Sequence, residues 1–96
     1  MAEAYTGERH HGSIRERFNL KINQKNGLDI IGDVWDDNSS ATFMGKIDSS
    51  GIAFRHLYPN KERYYYEGVW QKGNYRGIYT INGKEAGTFT LKPLRA

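Results

Sequence analysis

The sequence predicts an all-β protein: a single antiparallel meander of about seven strands, strongly curved into a partial or closed small barrel. From Ile14 onward, apolar and polar residues alternate in short runs, which is the pattern of half-buried strands. Clusters of Gly, Asn, Asp and Ser separate these runs, and no useful length of helical periodicity occurs. With 11 glycines, 7 tyrosines and only 2 prolines in 96 residues, the composition is typical of a small antiparallel sheet protein.

The segment 64–91 fixes the predicted register because it contains three strands, two tight turns and one glycine near the middle of each strand. A four-residue loop after the first strand pairs Gly68 with Gly77. A three-residue loop over 81–83 then pairs Gly77 with Gly87. We prefer it to a two-residue turn, which would move the apolar residues of the last strand to the opposite face.

The same reasoning assigns the rest of the chain from 14 to 94. Further strands are predicted over 14–22, 28–35, 41–47, 52–58 and 63–70, with turns over 23–27, 36–40, 48–51 and 59–62. Keeping the apolar faces together places seven residues in one row: Phe18, Gly32, Gly45, Phe54, Gly68, Gly77 and Gly87. Glycine inside a strand costs conformational entropy and contributes no side chain to the packing, so it needs another reason to be there. A row of glycines across the sheet therefore indicates a level at which every strand bends.

Residues 1–13 contain little to bury and are predicted to be a flexible N-terminal tail, leaving 14–94 as one barrel-like domain. Seven strands in a meander would place the first and last strands parallel. Either the tail adds a strand, or the barrel stays partly open with charged edges.

One half of the predicted interior is apolar and should form the main core. Its residues are Leu20, Ile22, Leu28, Ile30, Ile47, Ile52, Trp70, Tyr75, Phe89 and Leu91. The other half is aromatic and ionisable, and barrel mouths of this kind are preferred places for small ligands. The predicted ligand-binding set is Glu16, Phe43, His56, Tyr66, Tyr79 and Glu85. Alternatively, these tyrosines form a wet rim and His56 is only hydrogen-bonded.

The sequence favours a binding protein over an enzyme. The predicted register places neither glutamate nor a serine nucleophile beside His56. The chain has no cysteine, and His10 and His11 lack further ligands at a workable spacing, so we expect neither a metal nor a cofactor. No apolar signal region or membrane-spanning run is present, which predicts a soluble, cytoplasmic protein without a membrane partner.

The outward apolar residues and the uneven charge of the chain suggest two further kinds of partner. Apolar residues on the outer face, above all Trp35, Met44, Leu57 and Tyr65, predict a protein interface, with a homodimer as one form of it. Net charge is uneven along the chain: +2 over 1–27, −4 over 28–48 and +5 over 49–96. The basic part with its tyrosines suggests single-stranded nucleic acid as a further partner. This alternative is weaker because the tyrosines of 64–66 alternate between faces, so no single face holds a stacking platform.

Overall fold

A computed structural model describes residues 4–57 and 62–94 and shows a closed antiparallel barrel. Its strands are β1 (Ala4–His11), β2 (Ile14–Asn26), β3 (Asp29–Trp35), β4 (Ser40–Ile47), β5 (Gly51–Leu57), β6 (Arg63–Gln71), β7 (Asn74–Ile81) and β8 (Lys84–Pro93). Each strand pairs with its neighbours in sequence, and β1 pairs with β8. The all-β barrel prediction is therefore confirmed. Most of the predicted turn at 59–62 lies outside the described residues, as do Tyr58 and the side chain of Leu57.

The N-terminal segment is the eighth strand of the barrel, so the prediction of a flexible tail over 1–13 was wrong for Ala4–His11. Tyr5 pairs with Pro93 on β8 and with Leu20 on β2, and the Leu94 amide donates to the Ala4 carbonyl at 2.9 Å. This strand has only one bulky apolar residue facing inward, Tyr5, followed by Gly7 and Arg9. Apolar content alone therefore did not reveal it, although an eighth strand is what allows antiparallel closure.

The centre of the barrel is filled by phenylalanine rings that lie across from glycines. All four phenylalanines of the chain have a glycine as a cross-strand partner: Phe18 with Gly7, Phe43 with Gly32, Phe54 with Gly45, and Phe89 with Gly77. A Cβ on Gly32 would lie 2.7 Å from the Phe43 ring, and one on Gly45 would lie 2.5 Å from the Phe54 Cβ. These glycines are therefore required by close packing as well as by strand curvature.

Most of the predicted core is buried, but two members are exposed. Leu28 is 53% exposed because β2 continues through the predicted turn at 23–27 as far as Asn26, which places Leu28 at the hairpin tip. The chain reverses there at Gly27, whose φ is +61°. Trp70 is 40% exposed and packs edge-on against Tyr75, with ring centroids 4.8 Å apart.

The register predictions are confirmed for two hairpins. Gly68 pairs with Gly77 between β6 and β7, and Gly45 pairs with Phe54 between β4 and β5, as expected. Elsewhere the pairing is shifted, so the single row of glycines across the sheet is wrong: Gly32, for example, lies opposite Phe43. Between β3 and β4 and between β5 and β6 the shift is two residues, and since side chains alternate with a period of two, such shifts preserve which face each residue occupies.

The β7–β8 hairpin shows why one register was mispredicted. The turn has two residues, Asn82 and Gly83, both with positive φ (53° and 85°), which is the type I′ geometry that we rejected from the sequence. A bulge follows, because the pairing passes from Thr80 with Glu85 to Tyr79 with Gly87. The extra residue in β8 turns Phe89 back into the core.

We expect Gly77→Val to lower the free energy of unfolding by about 3 kcal/mol or more. A Cβ at Gly77 would meet the Glu67 carbonyl oxygen and lie 2.5 Å from the Gly68 Cα, so the backbone itself must move. The matched control is Thr88→Val on the exposed side of β8, which should change stability by less than about 0.5 kcal/mol. Urea unfolding of both variants measures the difference, and equal losses would contradict the packing role of Gly77.

Candidate functional site

One end of the barrel, here called the aromatic end, combines rings with buried ionisable groups. It is the end at which β1, β3, β5 and β7 finish. Its main residues are Arg9, Phe43, His56, Tyr64, Tyr66 and Tyr79. The sequence predicted most of this set, and the structure brings Phe43, His56, Tyr66 and Tyr79 together in the interior.

A stack of aromatic rings fills the aromatic end. The Tyr66 ring lies parallel to Phe54, with centroids 4.4 Å apart and planes 11° apart. Its other neighbours include Tyr79 at 5.6 Å and Phe18 at 5.6 Å. Phe43, Tyr66 and Tyr79 are 0 to 2% exposed, so these side chains form core packing and present almost no surface to a ligand.

Arg9 is the central polar residue of this end, and the sequence analysis missed it because it lies in the segment interpreted as a tail. Its side chain is 2% exposed. Nη1 donates to the Tyr66 hydroxyl at 2.9 Å, and Nη2 donates to Asp36 Oδ2 at 3.2 Å. The guanidinium also lies 5.0 Å from the Phe18 ring centroid and 5.2 Å from that of Tyr64. The alternation of Tyr5, Gly7 and Arg9 was the available sequence signal.

Asp36 holds Arg9 in place and also shapes the loop after β3. Its Oδ1 accepts from the backbone amides of Asn38 and Ser39, both at 2.8 Å. Burial raises the pKa of Asp36, but these amides and the Arg9 guanidinium together bring the pKa below its ordinary value. Asp36 is therefore a carboxylate at neutral pH and compensates the buried guanidinium.

The two glutamates of the predicted ligand set do not join the buried rings. Glu16 lies at the margin of the aromatic end, 52% exposed, with its carboxylate 3.9 Å from Arg9. Glu85 is exposed on β8 and pairs with Thr80, since the bulge brings Ala86 against the core in its place. Glu85 was predicted to face the interior with the aromatic residues, and this prediction was wrong.

His56 is buried, with 3% of its surface exposed, and its ring lies 4.9 Å from Tyr64 and 5.2 Å from Tyr66. Burial, together with the positive charge of Arg9, lowers the pKa of His56 from 6.5 to about 3, although Asp36 acts in the opposite direction. The imidazole is therefore neutral at physiological pH.

A depression of about 440 Å³, here called the arginine pocket, opens on the barrel wall beside His56. Its lining residues are Thr42, Phe43, Met44, Arg55, His56 and Arg63. Met44, Arg55 and Arg63 are exposed and form its rim, while Phe43 and His56 belong to the interior and present almost no surface to it. Phe43 and His56 of the predicted ligand set thus lie beside this depression.

The residues predicted as an interface lie on the outside of the barrel. Trp35, Met44 and Tyr65 are 38 to 44% exposed. Met44 and Tyr65 also line a second depression of about 430 Å³, here called the outer groove, together with Ile31 and Ala53. Trp35 lies at the end of β3, and the side chain of Leu57 is outside the described part of the chain.

Other kinds of site have less support. Tyr64 and Tyr66 point inward and Tyr65 points outward, so the three tyrosines do not form one stacking platform for bases. Within residues 4–57 and 62–94, no three His, Asp or Glu side chains cluster closely enough to hold a metal ion. The same residues contain no helix long and apolar enough to span a membrane.

Fold and site define a closed antiparallel barrel with a charged, aromatic interior end and with the arginine pocket and the outer groove among the depressions of its surface. Comparisons of this chain with family models, curated proteins and solved structures gave no match. The function must therefore be inferred from the geometry of these residues.

Acid should destabilise the protein through His56. Because the pKa is about 3 in the folded state and near 6.5 when unfolded, the unfolded chain takes up the proton first, and stability falls as pH drops below 6.5. Between pH 6.5 and 4.5 the loss should be about 2 kcal/mol. His56→Phe keeps a ring against Tyr64 and removes the proton site, so urea unfolding should lose this part of the pH dependence. An unchanged slope would contradict the buried neutral imidazole.

Arg9 and Asp36 should be strongly coupled. Arg9→Met leaves the Asp36 carboxylate without its guanidinium and should cost about 3 kcal/mol of stability. The double variant Arg9→Met/Asp36→Asn should lose less than the sum of the two single variants, because neither charge is then left without the other. A double-mutant cycle by urea unfolding measures the coupling, and simple additivity would contradict it.

Proposed function

We propose that the protein is a non-enzymatic binding protein whose ligand is a small organic anion with an apolar body. The observation that carries this proposal is the arginine pocket, a concavity of about 440 Å³ with a mainly apolar lining and two guanidinium groups on its rim. Its volume lies within the range of small-molecule sites, which typically combine apolar walls with a few polar groups.

The chemistry of the pocket favours a carboxylate, sulfonate or phosphate attached to a flat or aliphatic group. Arg55 and Arg63 extend from neighbouring strands β5 and β6, and guanidinium groups bind such anions through paired hydrogen bonds. Met44 supplies a flexible apolar side chain at the rim that adapts to ligands of different shape. Buried Arg9 adds positive charge behind His56.

Binding without catalysis is favoured by the state of His56. A general base works best with a pKa near the working pH, whereas the pKa of His56 is about 3. Among the described residues that line the pocket, Thr42 contributes the only hydroxyl, and the others are Phe43, Met44, Arg55, His56 and Arg63. This set supports recognition of an anion and offers no paired nucleophile and base.

The test uses the aromatic sulfonate 8-anilinonaphthalene-1-sulfonate as the probe. We expect one molecule per chain, with fluorescence rising on binding and affinity falling with added salt. Arg55→Gln and Arg63→Gln should each weaken binding roughly tenfold, since a charge-assisted hydrogen bond is lost. Arg76→Gln, a change of the same chemistry at an exposed position on β7, is the matched control and should bind as the wild type does.

Affinity that is unchanged in both pocket variants, or weakened equally in the Arg76→Gln control, would overturn the proposed site. Circular dichroism of each variant should show the same β spectrum, because all three arginines are exposed and their removal leaves the core intact.

A further inference from the structure

The arginine pocket and the outer groove adjoin each other on the barrel wall. Both are lined by Met44 and Arg55, which are cross-strand partners on β4 and β5. From this shared pair the arginine pocket extends toward Arg63 and the aromatic end, whereas the outer groove extends toward Ala53 and the opposite end. The two depressions therefore form one track along β4 and β5, with about 440 Å³ in the first part and about 430 Å³ in the second.

The outer groove is apolar where it leaves the shared pair. Ile31 and Tyr65 flank that pair in the same cross-strand row, and each is 41% exposed. Ala53, the next outward residue on β5, lies between its cross-strand partners Lys46 and Glu67, which have much longer side chains. This small residue between long ones lowers the surface of the wall there, so the groove has a floor on which an apolar chain can lie.

Charge is placed at one end of the track. Arg55 and Arg63 are exposed cations that line the arginine pocket. At the far end of the outer groove, Lys46 Nζ lies 3.8 Å from Asp29 Oδ1, so the charges of these two residues offset each other. The track thus fits a ligand with an anionic group at one end and an uncharged, apolar body along the rest of its length.

We propose that the ligand is a single-chain amphiphile with an anionic head, such as an alkyl carboxylate, sulfonate or phosphate. The head lies between Arg55 and Arg63, and the chain lies in the outer groove. This inference rests on the proposed function and names the class of its ligand. Arg55 Nη2 donates to Met44 Sδ at 3.6 Å. A thioether is a weak acceptor, so the guanidinium exchanges this contact for the stronger hydrogen bond to the head, and the flexible Met44 side chain adapts to the ligand chain.

Strand geometry sets the length of the chain. Arg63 precedes Glu67, the cross-strand partner of Ala53, by four positions, which is roughly 13 Å along β6. A head midway between the two arginines leaves roughly 10 Å of track as far as Ala53. An extended chain advances about 1.2 Å per bond, so an alkyl group of about eight carbons fills the track.

The test is a titration of the whole chain with butane-, hexane-, octane- and decanesulfonate below their micelle-forming concentrations, followed by the backbone amide signals in NMR. Affinity should rise roughly twofold per methylene, about half the effect of complete burial in free-energy terms, because one side of the chain stays in water. The rise should end near octanesulfonate. Butanesulfonate should shift the amide signals of Arg55 and Arg63, and the longer probes should also shift those of Gly45 and Ala53.

A substitution on the groove floor separates the chain from the head. Ala53→Gln fills the depression and should weaken octanesulfonate binding roughly fivefold or more, while butanesulfonate, whose chain does not reach Ala53, should bind as it does to wild type. Thr88→Gln introduces the same side chain at an exposed position of β8, outside the track, and is the matched control. Arg55→Gln should weaken all four probes by a similar factor.

The inference and the proposed function fail in different ways. An affinity that does not depend on chain length, with Arg55→Gln still weakening every probe, would overturn the inference and leave the proposed anion site standing. An affinity that rises with chain length but is unchanged by Ala53→Gln, or is reduced equally by Thr88→Gln, would place the chain elsewhere and also overturn the inference. Butanesulfonate binding that is insensitive to Arg55→Gln would contradict the proposed function itself.

Discussion

Glycine and phenylalanine partner each other across the strands, and this pairing lets the rings fill the barrel interior. A glycine inside a strand costs roughly 0.5–1 kcal/mol relative to alanine, and the ring lying over it restores packing that the missing side chain would have provided. Eight strands enclose a space just wide enough for side chains to fill. Because Phe18, Phe43, Phe54 and Phe89 all occupy that space, the centre is a packed core, and the proposed anion site lies on the wall.

The fold was largely predictable because alternation assigns a face to each residue even when the register is wrong. Gly32 was placed opposite Gly45 and is found opposite Phe43, two residues away, yet its side of the sheet is unchanged. Local bulges were not predictable in this way. The bulge in β2 after Ile22 carried Leu28 out to a hairpin tip, and the bulge in β8 made Glu85 an outward residue. Both depend on one extra residue whose position tertiary packing selects.

The candidate site was predictable only in part, for an electrostatic reason. Aromatic residues such as Tyr66 follow the alternation and were correctly placed inside. Arg9 was not, because a buried guanidinium is tolerated only with compensating partners, and Asp36 comes from a loop 27 residues away in sequence. No local sequence pattern predicts such an ion pair. Burial lowers the pKa of His56 and keeps the imidazole neutral, and the positive charge of Arg9 beside it disfavours a second cation further.

The pairing of β1 with β8 has a consequence for how the chain folds during synthesis. The contact between Tyr5 and Pro93 joins residues almost a full chain length apart, while the other strand pairs join neighbours in sequence. Hairpins can form as they leave the ribosome, but β1 keeps an unpaired edge until β8 has emerged. We therefore expect closure to be the last strand pairing to form, because β8 is the last strand to leave the ribosome. Until then the nascent sheet is an open ribbon exposed to other chains, and folding is completed only after translation has passed residue 93.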